Sequence, residues 1–147
     1  MNSEKTKKFD KKLHDENDAP AKQAVANWIR SKWDVEVKEN TQYEVDLVFL
    51  KDDKVVGYGE VEVRYWGSPY CPHPTIHIAK RKEKLLRNDL PTVFFAVNEF
   101  LTGAYWCGSK IILESPLVEV KNKYVSDDEY FYDVAIVDFR HAELEKK

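Results

Sequence analysis

Between residues 21 and 50 the spacing of apolar side chains changes from the period of a helix to that of a strand. Ala21, Ala24, Val25, Trp28 and Ile29 recur at i, i+3, i+4, i+7 and i+8, which lays one apolar stripe along a helix. Asp15, Glu16 and Asp18 precede the stripe, Pro20 suits a first turn, and Arg30 and Lys32 fall in a last turn, each as the helix dipole favours. A helix over 18–32 follows from this pattern. Beyond it the period drops to two. Val35 and Val37 alternate with charges, and Tyr43, Val45, Leu47 and Phe49 alternate with Glu44, Asp46, Val48 and Leu50, so two strands are expected. Polar Lys51-Asp52-Asp53-Lys54 makes a turn into a third strand, Val55 to Tyr65, in which Gly57 and Gly59 mark a bulge or a close backbone approach.

The segment Gly67 to Pro74 holds three prolines and must be a loop. A second helix is expected over 76–88, with Ile78, Leu85 and Leu86 as its inward stripe. Pro91 then introduces Val93-Phe94-Phe95-Ala96-Val97, an uninterrupted apolar run of the kind buried on both faces of a sheet. Short strands are expected at 103–107, 110–113, 117–121 and 130–139. The order helix, three strands, helix, strand, then further strands describes an α/β fold: a central mixed sheet flanked by helices, with extra C-terminal strands.

A chain of 147 residues with 43% hydrophobic content has material for one core, so residues 15–147 are read as a single domain. Residues 1–14 are read as a flexible basic tail, because Lys5, Lys7, Lys8, Lys11 and Lys12 surround only one aromatic side chain, Phe9. The net charge of −3 is no basic signature, so any nucleic-acid partner must meet positive charge that is concentrated locally. Two cysteines and no apolar N-terminal run argue for a reducing, cytoplasmic compartment. No stretch approaches the roughly 20 apolar residues of a membrane span.

Chemistry concentrates on the second and third strands. Glu60 and Glu62, two residues apart, point to one face about 7 Å apart. Asp46 joins them if the hairpin sets it opposite Glu60. That register needs an odd-length loop or a bulge at Gly57 or Gly59, since a two-residue loop without a bulge turns Asp46 to the other face. Three converging carboxylates repel one another unless a cation sits among them, and hard oxygen donors suit Mg²⁺ or Mn²⁺. The same residues also describe a solvated strand face with ordinary alternating charges.

Asp46, thirteen intervening residues, then Glu60-Val61-Glu62, with a helix before the strands and a basic helix after them, resembles the PD-(D/E)xK nuclease superfamily. The resemblance covers residues 15 to 100 and implies a restriction-endonuclease-like αβββαβ core. It implies that Asp46 and Glu60 bind a divalent metal with the carbonyl of Val61, and that the protein is a metal-dependent endonuclease hydrolysing phosphodiester bonds, of DNA rather than RNA on the family's precedent. Val45 replaces the proline before the aspartate, and Glu62 replaces the lysine two residues after the glutamate. That lysine helps to position the attacking water and to stabilise charge on the phosphate, so either Glu62 leaves an inactive fold that binds nucleic acid or a protein, or a lysine arrives from elsewhere. On the expected second helix Lys82 lies about 40° from Ile78, with Lys80 and Lys84 about 160° and 120° away. Lys82 is therefore the first candidate, and viral cap-snatching endonucleases of the same superfamily resemble this arrangement. Arg64, Lys80, Arg81 and Lys84 are candidate substrate-binding groups, with Tyr65 and Trp66 able to stack a base. Cutting two strands would call for a homodimer.

Cys71, His73 and His77, with Cys107, suggest a zinc site only weakly, because the spacing matches no familiar module and Pro72 and Pro74 dominate the segment. His77 is expected near the start of the second helix. His14 and Glu16 precede the apolar stripe of the first and are lesser candidates for the metal site.

Overall fold

The structure, a computed structural model, describes residues 11–39, 45–120 and 129–144. Residues 1–10 of the expected tail lie outside the described residues. Helix α1 (Lys11–Lys32) begins earlier than the apolar stripe indicates, so Lys11 to His14 belong to the helix and Pro20 lies inside it. The stripe itself is inward: Ala21, Val25 and Ile29 are completely buried.

The chain then forms an antiparallel meander of β1 (Glu36–Glu39), β2 (Leu47–Lys51) and β3 (Lys54–Arg64). The turn between β2 and β3 has two residues, Asp52 and Asp53, with φ of 52° and 64°. Positive φ at both central positions is the hairpin geometry whose twist matches the strands. Lys51 pairs with Lys54 and Leu50 with Val55, but Phe49 pairs with Gly57, so Val56 is an extra residue in β3. This bulge decides which residues of the two strands face one another. It shifts the register by one, so that Leu47 faces Gly59 and Asp46 comes level with Glu60. The glycines also serve close approach: a Cβ on Gly57 would lie 3.0 Å from the Pro91 carbonyl oxygen, and one on Gly59 3.0 Å from the Phe49 ring.

Strand β3 runs parallel to β5 (Thr92–Asn98), which pairs antiparallel with β6 (Gly103–Gly108). Strand β9 (Arg140–Glu143), antiparallel to β6, completes a mixed six-stranded sheet of order β1-β2-β3-β5-β6-β9. Helix α1 covers one face, where Val25 and Ile29 meet Leu47, Val61, Val63, Phe95 and Val97. The opposite face carries a smaller antiparallel sheet formed by β4 (Thr75–Ala79), β7 (Leu117–Val120) and β8 (Glu129–Ala135), in the order β4-β8-β7. Ile76, Ile78, Tyr132 and Val134 from that sheet pack with Phe94 and Ala96 of the large one. Alternate β5 side chains thus enter both cores, as expected of its unbroken apolar run.

The protein is α/β, but the second face is covered by strands and two short helices where a long helix was expected. Residues 76–88 are β4, a 3₁₀ turn at Lys80–Lys82, and α2 (Glu83–Leu86). The reason lies in Ile76 and Ile78, both buried, with exposed His77 between them, a period of two that β8 completes by backbone pairing. Likewise 109–113 is helix α3 (Ser109–Leu113), not a strand. A helical turn lets neighbouring Ile112 and Leu113 both reach the core, which alternating strand positions forbid. The expected strand 130–139 is β8 as far as Ala135 and then a 3₁₀ turn at Ile136–Asp138, and β9 begins only at Arg140.

Candidate active site

Glu60, Glu62 and Arg64 alternate along β3 on the face that carries the small sheet, while Val61 and Val63 point to α1. Glu60 is level with Phe94 and Glu62 with Ala96 on β5, so Glu60 lies under the second core and is only 2% exposed. Asp46, in the bend before β2, interlocks with it. The Asp46 N–H donates to Glu60 Oε2 at 3.2 Å and to the Gly59 carbonyl at 3.1 Å, and the Val61 N–H donates to Asp46 Oδ2 at 2.8 Å. One oxygen of each carboxylate is therefore fixed by a backbone N–H of the other's strand.

The second oxygen of each carboxylate meets a lysine. Lys82 Nζ lies 3.2 Å from Glu60 Oε1 and 3.7 Å from Glu62 Oε2. Lys22 Nζ, from α1, lies 3.2 Å from Asp46 Oδ1 and 3.0 Å from Asp18 Oδ2. Burial pushes the Glu60 carboxyl up to about 7, and the Asp46 charge adds to this, against the opposing pull of Lys82. Burial pushes Lys22 the other way, yet the Asp18 and Asp46 carboxylates more than offset it and leave its ammonium above the usual value.

Lys82 comes to the acids by a route other than the helical angle. It ends the 3₁₀ turn that follows β4, and α2 anchors that turn by burying Leu86. Glu83 staples the corner through Lys80 at 3.1 Å and Arg87 at 2.8 Å. Lys80 is thus turned to Glu83, and Arg81 and Lys84 are exposed on the same corner. Arg64 is engaged within the protein: Nε donates to Glu62 Oε1 at 2.6 Å and Nη2 to the His77 carbonyl at 2.7 Å. Trp66 packs edge-on against Tyr105 at 5.6 Å, while Tyr65 is 46% exposed.

His77 is mid-strand in β4, not at a helix start; its Nε2 is 3.1 Å from Asp133 Oδ1 and its ring stacks on Phe131. Cys71 Sγ contacts the His73 carbonyl, and buried Cys107 has its thiol pushed up to about 12 by burial and by Asp138, so Cys107 presents no ready thiolate. The side chains of His14 and Glu16 lie outside the described residues.

Among the described residues no three His, Cys, Asp or Glu side chains form a metal-binding group. Two carboxylates are nevertheless held together, and the Val61 carbonyl must point to the flank its N–H shares with Asp46, because the two groups of one strand residue face the same way. That oxygen set fits Mg²⁺ or Mn²⁺, which keep several waters and take one or two carboxylates. Asp46 Oδ1 and Glu60 Oε1, which now face ammonium groups, are the oxygens available to such an ion.

Compared with family models, curated proteins and solved structures, the chain matches none. Sequence reasoning missed Lys22. Its i+4 spacing from Asp18 announces that pair, but its reach to Asp46 depends on how α1 crosses the end of β2.

Proposed function

We propose that the protein is a divalent-metal-dependent nuclease with a restriction-endonuclease-like core, acting on phosphodiester bonds, of DNA in the first instance. The observation that carries the reading is the Asp46–Glu60 interlock with Lys82 Nζ 3.2 Å from Glu60. The order α1, β1, β2, β3, then β5 parallel to β3 supports it, because the αβββαβ core that the resemblance implies has those elements, although β4, a 3₁₀ turn and the short α2 stand in place of its second helix.

Asp46, Glu60 and the Val61 carbonyl would hold Mg²⁺ or Mn²⁺, which when bound polarises a phosphoryl oxygen and lowers the pKa of its water. Lys82 stands where the resemblance otherwise expects a strand lysine, beside the acids, and supplies positive charge toward a phosphate. Glu62 keeps Arg64 and Lys82 in place by accepting from one and pairing with the other. Lys80, Arg81 and Lys84 at the same corner meet the nucleic-acid backbone, so affinity falls with salt.

The test is cleavage of single-stranded, duplex and branched DNA and of RNA, with Mg²⁺ and with Mn²⁺. Cleavage that requires the ion and is lost in Asp46→Ala supports the reading; no cleavage of any substrate, with ion binding intact, supports a second one. That second reading, a nuclease fold that binds without cutting, is favoured by Glu62 in the lysine position and by its engagement with Arg64.

A further inference from the structure

Where β3 leaves the large sheet and β4 enters the small one, a cleft of about 540 Å³ opens, within the size range of small-ligand sites. Its lining includes Arg64, Tyr65, Trp66, His73 and His77 and, among the described residues, no Asp or Glu. The lining thus offers a guanidinium already paired with Glu62, two imidazoles, one of them beside Asp133, and two large aromatic rings, so the rings rather than net charge set its chemistry. A planar, electron-rich ring attached to an anion suits such a surface, since aromatic faces stack bases whatever their identity and arginine adds a cation contact.

The cleft is joined to the acidic centre by β3 itself. Glu60, Glu62 and Arg64 lie at alternate positions on one face, so the cleft begins about 13 Å along the strand from Glu60. Glu62 touches both Arg64 at one end and Lys82 at the other. The bonds that hold Arg64 use Nε and Nη2, which leaves Nη1 outside both of them. Tyr65 is 46% exposed at the rim and Trp66 is held in place by Tyr105.

We propose that this cleft binds an unpaired base of a single strand, and so directs the protein to single-stranded rather than duplex nucleic acid. The inference rests on the nuclease reading for the position of the neighbouring phosphate, but its chemistry does not require cleavage. A base stacked within a duplex has both faces covered and cannot enter an aromatic cleft without unpairing.

The experiment measures binding of a short fluorescent single-stranded DNA and of the same sequence as a duplex, by anisotropy, with the full chain in EDTA so that no cutting occurs. The single strand should bind more tightly, and Tyr65→Ala should weaken it by about fivefold to a hundredfold while leaving the duplex unchanged. Tyr65→Phe should restore the wild-type affinity, which separates stacking from loss of structure, and His73→Ala at the exposed rim gives an independent variant. Equal affinity for both forms, or a single strand indifferent to both alanine variants, overturns the proposal. Tyr65-dependent binding by a protein that cuts nothing with either ion keeps the cleft and rejects the nuclease reading. Metal-dependent cutting that Tyr65→Ala leaves unchanged on single strand and duplex alike does the reverse.

Discussion

Two carboxylate–lysine pairs meet at the proposed centre with the same 3.2 Å separation, yet they are physically different. The Asp46 and Lys22 side chains are 23% and 22% exposed, whereas Glu60 is 3% exposed against 20% for Lys82. Water screens the first pair, so its net contribution to stability is small. The second pair takes a carboxylate out of water beneath Phe94 and the small sheet, and its attraction must offset a desolvation cost. The consequence is visible in Glu60, which burial pushes up to about 7. Contact distance alone would rank the pairs as equals; burial shows that Glu60 carries the larger desolvation cost, which a cation beside it would offset.

The sharpest way to break this comparison is to remove the lysine that faces the buried carboxylate. Lys82→Met keeps most of the aliphatic stem and should lower single-turnover cleavage by roughly 10²-fold or more, about 2.7 kcal/mol of barrier, with little change in substrate affinity. Lys80→Met and Lys84→Met should weaken substrate binding but cut near normally at saturating substrate, because neither ammonium is among the groups that meet Glu60 or Asp46. Near-normal cleavage by Lys82→Met would sink the assignment.

A second measurement asks whether the two acids act as one site. Excess Mn²⁺ should raise the melting temperature by roughly 5–10 °C if the ion is present at about 100 times its dissociation constant, since an ion that binds only the folded state stabilises by mass action. Asp46→Ala should remove that rise, and so should Glu60→Gln. An unchanged rise in either variant would mean that the ion binds elsewhere.

The contrast between the pairs also explains what was legible in the sequence. The meander could be read because its apolar residues alternate, and the facing of Asp46 and Glu60 could be stated as a condition on the turn. The condition was met by Val56, an extra residue beside Gly57 that no periodicity announces, although the glycine itself marked the place. Residues 76–88 were misread because Ile78, Leu85 and Leu86 mimic a helical stripe. The competing signal was the alternation of Ile76, His77 and Ile78, and it prevailed because β8, some fifty residues later in the chain, supplies the hydrogen bonds. Lys82 was singled out from a helical angle that does not exist; it meets Glu60 because a strand ends and the chain turns. Long-range pairing, not local pattern, decides both that turn and the crossing that brings Lys22 to Asp46.

A smaller effect follows from the Glu60 carboxyl. Its folded value of about 7 lies above the ordinary 4.5, so between these limits the folded protein holds more proton than the unfolded chain. Stability should therefore fall as pH rises from about 4.5 through about 7 and level off above, by something on the order of 1–3 kcal/mol. Glu60→Gln should flatten this slope and melt above the wild type at pH near 8. A wild-type profile that rises through the same window would show that other groups dominate.

The smallest effect belongs to the half-buried pair, Asp46 and Lys22. Lys22→Met should change unfolding free energy by about 0.2–1 kcal/mol, as solvent-screened ion pairs usually do, because Asp46 remains partly solvated and keeps its bond from the Val61 N–H. The informative readout is the ion. Lys22 holds its ammonium on Asp46 Oδ1, an oxygen that a divalent cation would need, so the variant should bind Mn²⁺ tighter by roughly threefold to tenfold, at about 1.4 kcal/mol per factor of ten. Turnover at saturating Mn²⁺ should then change far less than in Lys82→Met. Isothermal titration of both variants decides the matter: if Lys22→Met weakens Mn²⁺ binding, Lys22 orients Asp46 rather than competing for it. If the two variants lose turnover equally, the two pairs are functionally alike and burial is not what distinguishes them.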